Sequence, residues 1–221
     1  MPGRLIVVTG TGTGIGKTHV ACALLRCAAE RGQVAGYKPV ESGVDGTSQT
    51  DAERLAAAGS FHVQQCPEYR LRPALSPHLA ARLDGVEIHW EPVERFVSEL
   101  LAKEVDVLME LPGGLFTPLT DTLRNIDVVA RLDATVTLLL APDRLGVLHD
   151  VGAALAGAAH RRVSIDCVGL VSTATGDASA GLNAAELTRF GTEVHGTWPF
   201  AEVEVLAKHE ATTRLVDRWV G

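Results

Sequence analysis

The chain has 221 residues, of which 46% are hydrophobic and 21% charged, and its formal net charge is −7. This length predicts one domain with a full hydrophobic core, and the acidic balance argues against a surface that binds nucleic acid. The sequence has no signal peptide and no apolar run near the roughly 18 residues of a membrane span, so we expect a cytoplasmic protein without a membrane partner.

The chain begins with a predicted strand, a glycine-rich turn and a helix. Residues 5–8 form a short β-branched apolar run typical of a buried strand, and residues 17–31 have apolar side chains at helical spacing, with Gly32 as the C-cap. Residues 9–18, between them, read Thr-Gly-Thr-Gly-Thr-Gly-Ile-Gly-Lys-Thr. A glycine-rich turn in this context predicts a phosphate-binding loop, because its backbone N–H groups and the helix dipole face phosphate oxygens.

Lysine and threonine at the start of the helix carry the chemistry of such a loop. Lys17 is predicted to reach the β- and γ-phosphates of a nucleotide, and the Thr18 hydroxyl to bind Mg²⁺. The spacing departs from the usual motif, because Thr11 stands where the first glycine is usual. A glycine-rich turn without a ligand, or a dinucleotide-binding loop, is the alternative. The predicted nucleotide-binding residues of the loop are Gly12, Thr13, Gly14, Ile15, Gly16, Lys17 and Thr18.

Strands and helices alternate along the rest of the chain. Predicted strands cover residues 34–39, 105–109, 135–141, 165–172 and 194–198, and predicted helices cover residues 51–58, 77–84, 92–103, 125–132, 147–161, 182–190 and 212–218. Residues 40–49 are predicted to form a polar loop, and residues 60–75 show no clear pattern. The alternation predicts an α/β fold in three layers, with a mostly parallel central sheet flanked by helices.

Charged residues follow the predicted strands. Lys38 ends the second strand and is predicted to point into the crevice of the phosphate loop, as a second cation for an anionic transition state; a surface lysine is the alternative. Glu110 ends the strand at residues 105–109 and is predicted to bind Mg²⁺, which nucleotide sites hold with one or two carboxylates. Asp51 is predicted to be the second carboxylate, or alternatively only a residue favoured at a helix start.

The cysteine and histidine patterns point to no other chemistry. The four cysteines contain no C-x-x-C pair, so we expect reduced core thiols rather than a metal site or a disulfide framework. The histidines show no ligand spacing, and no nucleophile elbow supports acyl transfer. The cysteines are Cys22, Cys27, Cys66 and Cys167.

Taken together and in this order, the motifs resemble those of the dethiobiotin synthetase family. The matching segments are residues 9–18, 36–43, 50–52 and 76–78, then Glu110 with residues 113–114, residues 116–119, residues 145–146 and His149. The most specific segment is Gly-Tyr-Lys-Pro-Val-Glu-Ser-Gly at residues 36–43. The phosphate-binding loop alone is shared by many families.

The resemblance implies an ATP- and Mg²⁺-dependent ligase of biotin synthesis with a P-loop NTPase fold. Its substrates would be ATP, CO₂ and 7,8-diaminononanoate. One amine of the diamine would form a carbamate, the carbamate would take the γ-phosphoryl group of ATP, and the second amine would close the ureido ring. The family is dimeric, so the resemblance also implies a homodimer with the active site at the interface.

The resemblance assigns roles to particular residues. It implies catalytic roles for Lys17, Lys38 and Thr13, and a magnesium site formed by Thr18, Asp51 and Glu110. The implied diamine-binding residues are Ser42 and Gly113, together with the helix start at Gly146, Val147 and Leu148, which would bind the tail carboxylate across the dimer interface. Thr173 stands where the family usually has an adenine-reading Asn, and we expect looser base selectivity because its hydroxyl cannot make the paired amide contact.

Three other readings compete with this one. A cobyrinate amidotransferase-like synthetase would carry a glutaminase domain, for which this chain is too short. A partitioning or cell-division type ATPase would carry a signature lysine early in the loop, where this chain has Gly12. A non-catalytic or divergent nucleotide-binding paralogue remains the alternative. Leu111 and Pro112 favour it, because they replace the Gly-Ala that usually follows the strand-ending glutamate.

Overall fold

The computed structural model describes residues 2–63 and 66–220 of the chain. Its strands are β1 (Leu5–Gly10), β2 (Val34–Tyr37), β3 (Val40–Ser42), β4 (Tyr69–Leu71), β5 (Asp106–Glu110), β6 (Val136–Asp143), β7 (Cys167–Ser172) and β8 (Gly196–Trp198). Its helices are α1 (Lys17–Ala29), α2 (Asp51–Ala58), α3 (Pro77–Asp84), α4 (Glu91–Ala102), α5 (Asn125–Arg131), α6 (Val147–His160), α7 (Asn183–Arg189), α8 (Val203–Ala207) and α9 (Glu210–Val220).

The main sheet is parallel and has the strand order β2-β5-β1-β6-β7-β8. The pairing sets Val8 of β1 beside Glu110 of β5, and Tyr37 of β2 beside Met109 of β5. The carboxyl ends of β2, β5 and β1 therefore lie together at one edge, where ligands of such sheets bind. The predicted α/β architecture with a mostly parallel central sheet is confirmed.

Each face of the main sheet carries an apolar layer. Side chains alternate along a strand, so Leu5 of β1 packs on one face with Val93 of α4, whereas Ile6 packs on the other face with Val20 of α1. All eight residues of β6 are buried, as expected for a parallel strand covered by helices on both sides. These layers fix the strand ends that carry the functional residues.

Several local predictions were wrong. Residues 40–49 do not form only a loop, because β3 pairs with β4 in a second, two-stranded parallel sheet. Both strands have three residues and depend on a partner distant in sequence, which local periodicity cannot reveal. The first helix ends at Ala29 rather than at residue 31, with Glu30 as its C-cap. Helix α8 was not predicted, and α9 is longer than residues 212–218.

The cysteine prediction holds for three of the four thiols. Cys22, Cys27 and Cys167 are free and buried, whereas Cys66 is free but only partly buried, with its thiol donating a hydrogen bond to Glu68. Cys66 packs against the edge of the core rather than within it. No helix in residues 2–63 and 66–220 has the length and apolar character needed to span a bilayer.

Candidate active site

The glycine-rich loop between β1 and α1 has the backbone of a phosphate cradle. Gly14 and Gly16 have φ angles of +69° and +91°, in the left-handed region that favours glycine. A Cβ atom at Gly10 would come within 2.6 Å of the Ile15 side chain, so the loop folds tightly over the end of β1. The Thr11 N–H donates to the Leu140 carbonyl at 2.9 Å, which anchors the loop to β6.

Lys17 lies folded back over this loop. Its Nζ donates to the carbonyl oxygen of Gly12 at 2.7 Å, and the residue is buried. Burial lowers the pKa of Lys17 to about 8; the Glu110 carboxylate opposes this shift, and the Lys38 ammonium adds to it. A buried ammonium with one carbonyl partner is short of negative charge, which a triphosphate supplies.

A cavity of about 880 Å³ opens beside the loop at the carboxyl ends of the strands. Most of the residues predicted from the sequence line it together. They are Thr13, Gly14, Ile15, Gly16, Lys17, Thr18, Lys38, Ser42, Asp51, Glu110, Gly113 and Thr173.

An ion-pair network joins three of the predicted residues on the cavity wall. The Lys38 ammonium donates to Asp51 Oδ2 at 2.6 Å and to Glu110 Oε1 at 2.8 Å. The Thr18 hydroxyl donates to the same Glu110 oxygen at 3.0 Å. Lys38 and Glu110 are 7% and 1% exposed, so this half of the network lies out of water, whereas Asp51 is partly exposed on the cavity side.

The network fixes the charge state of its members. Burial opposes the charge on Lys38, but the Glu110 and Asp51 carboxylates outweigh it and raise the pKa of Lys38. Burial also opposes the charge on Asp51, and Lys38 outweighs it, so the pKa of Asp51 is lowered. Lys38 is therefore an ammonium and Asp51 a carboxylate at neutral pH, which is the state that a cation-binding pair of acids requires.

The donor set of this wall suits a hard divalent cation. Glu110 Oε2 is buried and has no hydrogen-bond partner within the part of the chain that the structure describes. A buried carboxylate oxygen of this kind is costly unless a donor or cation meets it. Two carboxylates and a hydroxyl next to a phosphate cradle are the ligands that Mg²⁺ takes in nucleotide sites.

Four predicted residues lie apart from this cavity. Gly12 lines a neighbouring cavity of about 520 Å³, behind the loop, together with His149 and Asp150 of α6. Gly146, Val147 and Leu148 begin α6, with Gly146 as the N-cap at φ +96°, but they are not among the described residues that line either cavity. The predicted helix start is confirmed, and the binding role of these residues stays a prediction.

The sequence reasoning missed several residues of the site. Glu41 and Arg54 line the large cavity, and Arg54 Nη1 lies 3.3 Å from Asp51 Oδ1. Phe200 also lines it and is 74% exposed. The sequence contained a pattern that could have indicated each of them. Glu41 belongs to the same motif as Lys38, and Arg54 follows Asp51 by one helical turn. Phe200 follows a strand end, where ligands of parallel sheets bind.

Asn125 was also missed, and it had no local signal. Its amide nitrogen donates to the carbonyl oxygens of Pro112 at 2.6 Å and Gly114 at 2.8 Å. Asn125 is fully buried at the start of α5 and so ties down the loop that follows Glu110. Its contacts depend on a loop eleven and thirteen residues away in sequence.

Comparison with known proteins supports the fold. A family model described as an AAA domain matches residues 4–214. A ParA family ATPase from Chlorobium tepidum TLS matches with a TM-score of 0.58 at 14% identity, covering 98% of this chain and 97% of that chain. The cell division ATPase MinD of Pyrococcus furiosus matches with a TM-score of 0.54 at 19% identity, covering 98% of each chain. Such likeness shows the P-loop NTPase fold and nothing further.

Curated proteins are much more similar in sequence. The ATP-dependent dethiobiotin synthetase of Anaeromyxobacter dehalogenans strain 2CP-C is 38% identical over 192 residues, covering 84% of this chain and 85% of that protein. That of Nitrosospira multiformis is 39% identical over 173 residues, covering 77% and 75%. The resemblance predicted from the motifs is confirmed. The chain belongs to the ATP-dependent dethiobiotin synthetase family and is an ATP-dependent ligase.

Proposed function

We propose that this protein closes the ureido ring of dethiobiotin from 7,8-diaminononanoate and CO₂, with ATP and Mg²⁺. The product is that of the dethiobiotin synthetases to which the chain is similar. The observation that carries the proposal is the convergence of Lys17, Lys38, Asp51 and Glu110 on one cavity beside a phosphate cradle. A reaction that builds charge on phosphoryl oxygens needs fixed cations and a metal site at one place.

The nucleotide would bind with its phosphates on the glycine-rich loop. Backbone N–H groups of the loop and the Lys17 ammonium would hold the β- and γ-phosphates. Thr18, Asp51 and Glu110 would hold Mg²⁺, which when bound neutralises charge on the phosphate oxygens. The buried, unpartnered Glu110 Oε2 supports this assignment.

The reaction would run in three steps. One amine of the diamine adds to CO₂, forms a carbamate C–N bond and releases a proton. A carbamate oxygen attacks the γ-phosphorus, and ADP leaves. The second amine attacks the carbonyl carbon of the mixed anhydride and releases a proton, so the ring closes and phosphate leaves with the electrons of the broken C–O bond.

The chain's own residues would position these groups and balance their charge. Lys38 and Thr13 line the cavity beside the loop, where an ammonium and a hydroxyl would face the carbamate. Ser42 and Gly113 would lie against the diamine. The Ser42 hydroxyl is buried and has no hydrogen-bond partner within the described ranges, so it is available to a substrate amine.

The base would bind against Thr173, Ala174 and Phe200, which line the same cavity. Phe200 offers a ring face on which any base can stack, and Thr173 offers one hydroxyl. We therefore expect purine and pyrimidine triphosphates to support turnover with modest discrimination.

We further propose a homodimer in the cytoplasm. Leu145 and Leu148 at the start of α6 are 75% and 36% exposed, which suits a contact with a second copy. In that arrangement the helix start at Gly146, Val147 and Leu148 would receive the tail carboxylate of a diamine held by the other protomer. The free cysteines suit a reducing compartment.

A turnover assay tests the proposal. Purified protein is incubated with diamine, bicarbonate, Mg²⁺ and each of ATP, GTP, CTP and UTP, and both phosphate and ring product are measured. We expect equal amounts of phosphate and dethiobiotin. Phosphate release without ring product would contradict the ligase chemistry, and nucleotide binding without either product would favour the non-catalytic paralogue.

A further inference from the structure

The side chain of Glu41 makes an unusual pair of contacts on the cavity wall. Its Oε1 accepts a hydrogen bond from the backbone N–H of Asp51 at 2.7 Å, and its Oε2 accepts one from the backbone N–H of Ala52 at 3.1 Å. Both N–H groups belong to the first turn of α2, which has no partners for them within the helix. A carboxylate at this end of a helix also meets the positive end of the dipole.

The first turn of α2 already has a local cap that does not involve Glu41. The Thr50 hydroxyl accepts from the Glu53 N–H, and the Glu53 carboxylate accepts from the Thr50 N–H. This capping box is sufficient to start the helix. Glu41 makes a tertiary contact instead, because it belongs to β3 and links the start of α2 to another part of the chain.

That part of the chain is the segment that carries Lys38. Glu41 follows Lys38 by three residues, and β3 is held on its other side by β4. The Arg70 guanidinium of β4 donates to the Lys38 carbonyl oxygen at 3.0 Å. Glu41 therefore fixes the backbone of Asp51 against the same segment whose ammonium contacts the Asp51 carboxylate.

We propose that Glu41 is a positioning residue of the active site. It holds the first turn of α2 against β3 so that the Asp51 carboxylate faces Lys38 and the proposed Mg²⁺ site. It acts through Asp51, because both of its oxygens accept hydrogen bonds from backbone N–H groups at the start of α2. This inference rests on the proposed role of Asp51 in the magnesium site.

The test compares Glu41→Ala with Glu53→Ala, which removes an acidic residue from the same helix start without touching the Asp51 N–H. Amide hydrogen exchange at Asp51 and Ala52 is measured by NMR. Mg²⁺ binding is measured as the Mg²⁺ concentration that gives half of the thermal stabilisation in the presence of a non-hydrolysable ATP analogue. Glu41→Gln, which keeps the size of the side chain, serves if the alanine variant folds poorly.

We expect Glu41→Ala to speed amide exchange at both residues and to raise the Mg²⁺ midpoint roughly tenfold, as loss of a partner that orients a metal ligand typically does. Glu53→Ala should leave the Mg²⁺ midpoint unchanged. Unaltered exchange and an unaltered midpoint in Glu41→Ala would overturn the proposal. A raised Michaelis constant for the diamine with normal exchange and a normal midpoint would overturn it too, because Glu41 would then be a substrate ligand. Amide exchange and the Mg²⁺ midpoint do not depend on turnover, so a failure of the ligase proposal can be distinguished from a failure of this one.

Discussion

Lys38 occupies the space between two acids that we propose as metal ligands. Its ammonium contacts Asp51 and Glu110 at 2.6 and 2.8 Å and is shared between the two carboxylates in the nucleotide-free protein. Without this cation the buried Glu110 carboxylate would have no counter-ion and would face the partly exposed Asp51 carboxylate, which repels it. The same lysine therefore has two roles at the residue scale, one in stability and one in the proposed chemistry.

The Lys38→Ala variant separates these roles. We expect kcat to fall roughly 100-fold or more, because a fixed cation is lost at the carbamate, while nucleotide affinity stays close to that of the wild type. The variant should also lose about 3 kcal/mol of stability, since the buried Glu110 carboxylate loses its counter-ion, whereas Asp51, with 35% of its side chain exposed, adds little to this loss. Ring formation, nucleotide binding by calorimetry and urea unfolding measure the three quantities.

Added Mg²⁺ and the substitution of a second lysine are the controls for Lys38→Ala. Mg²⁺ should raise the melting temperature of Lys38→Ala more than that of the wild type, because it replaces the missing cation between the acids. Lys103→Ala, at an exposed lysine that ends α4, should change neither rate nor stability. Near-normal turnover in Lys38→Ala would remove Lys38 from the mechanism.

The lowered pKa of Lys17 predicts that the stability of the protein depends on pH. Its pKa is about 8 in the folded protein and about 10.5 in the unfolded chain. Between these values the unfolded chain binds more protons, so the free energy of unfolding rises with pH. The cost of burying the ammonium is complete below about pH 8 and is relieved as the pH increases towards 10.5.

Urea unfolding at pH 7.5 and pH 9.5 tests this sign. Over this interval the free energy of unfolding of the wild type should rise by up to roughly 2 kcal/mol relative to that of Lys17→Met. The methionine variant keeps the apolar stem and lacks the titrating group, so it corrects for every other residue that titrates. A difference between the two proteins that does not change with pH would show that Lys17 titrates near its ordinary value.

At the scale of elements, the loop after β5 depends on one buried amide. Pro112 stiffens this loop, and Gly113 has a φ angle of +65°. The Asn125 amide holds the carbonyl oxygens of Pro112 and Gly114 on either side of Gly113. The loop therefore keeps its shape despite the unusual Leu111 and Pro112 after Glu110.

Asn125→Leu should weaken both the fold and the site. Leucine fills a similar volume but leaves the Pro112 carbonyl without this donor, whereas the Gly114 carbonyl keeps the Thr117 N–H at 2.9 Å, so we expect a loss of roughly 1–3 kcal/mol. We also expect a raised Michaelis constant for the diamine, because Gly113 lies on the cavity wall. Thr120→Val, which breaks two contacts in the next turn of the same connection, should leave that constant unchanged. If the Michaelis constant for the diamine changed equally in both variants, Asn125 would serve stability alone.

Elements with a strong local pattern could be predicted from the sequence, and those held by distant partners could not. The strand ending at Glu110 and the helix beginning at Asp51 were found because periodicity and caps lie within a few residues. The β3–β4 pair escaped because each strand has three residues and its partner is distant. The same distinction holds in the site, since Lys38 was found from its strand end whereas Asn125 acts through remote backbone carbonyls.

At the scale of the whole molecule, the proposed dimer makes its own prediction. Leu148 is exposed at the start of α6, beside residues for which we propose a role in binding the substrate tail. Leu148→Glu should produce monomers in sedimentation experiments and raise the Michaelis constant for the diamine, because a second copy would no longer complete the site. Nucleotide binding should persist, since the phosphate loop and the carboxylates come from one chain.

Phe190→Glu provides the matched control, because Phe190 is 79% exposed at the end of α7 and has no proposed role. It should remain dimeric and active, which would rule out a general effect of surface charge. If Leu148→Glu is monomeric but keeps the normal Michaelis constant, each chain binds the whole diamine by itself. The tail carboxylate would then need a partner within the chain, and Gly12 and His149 already line a cavity behind the loop where it would be sought.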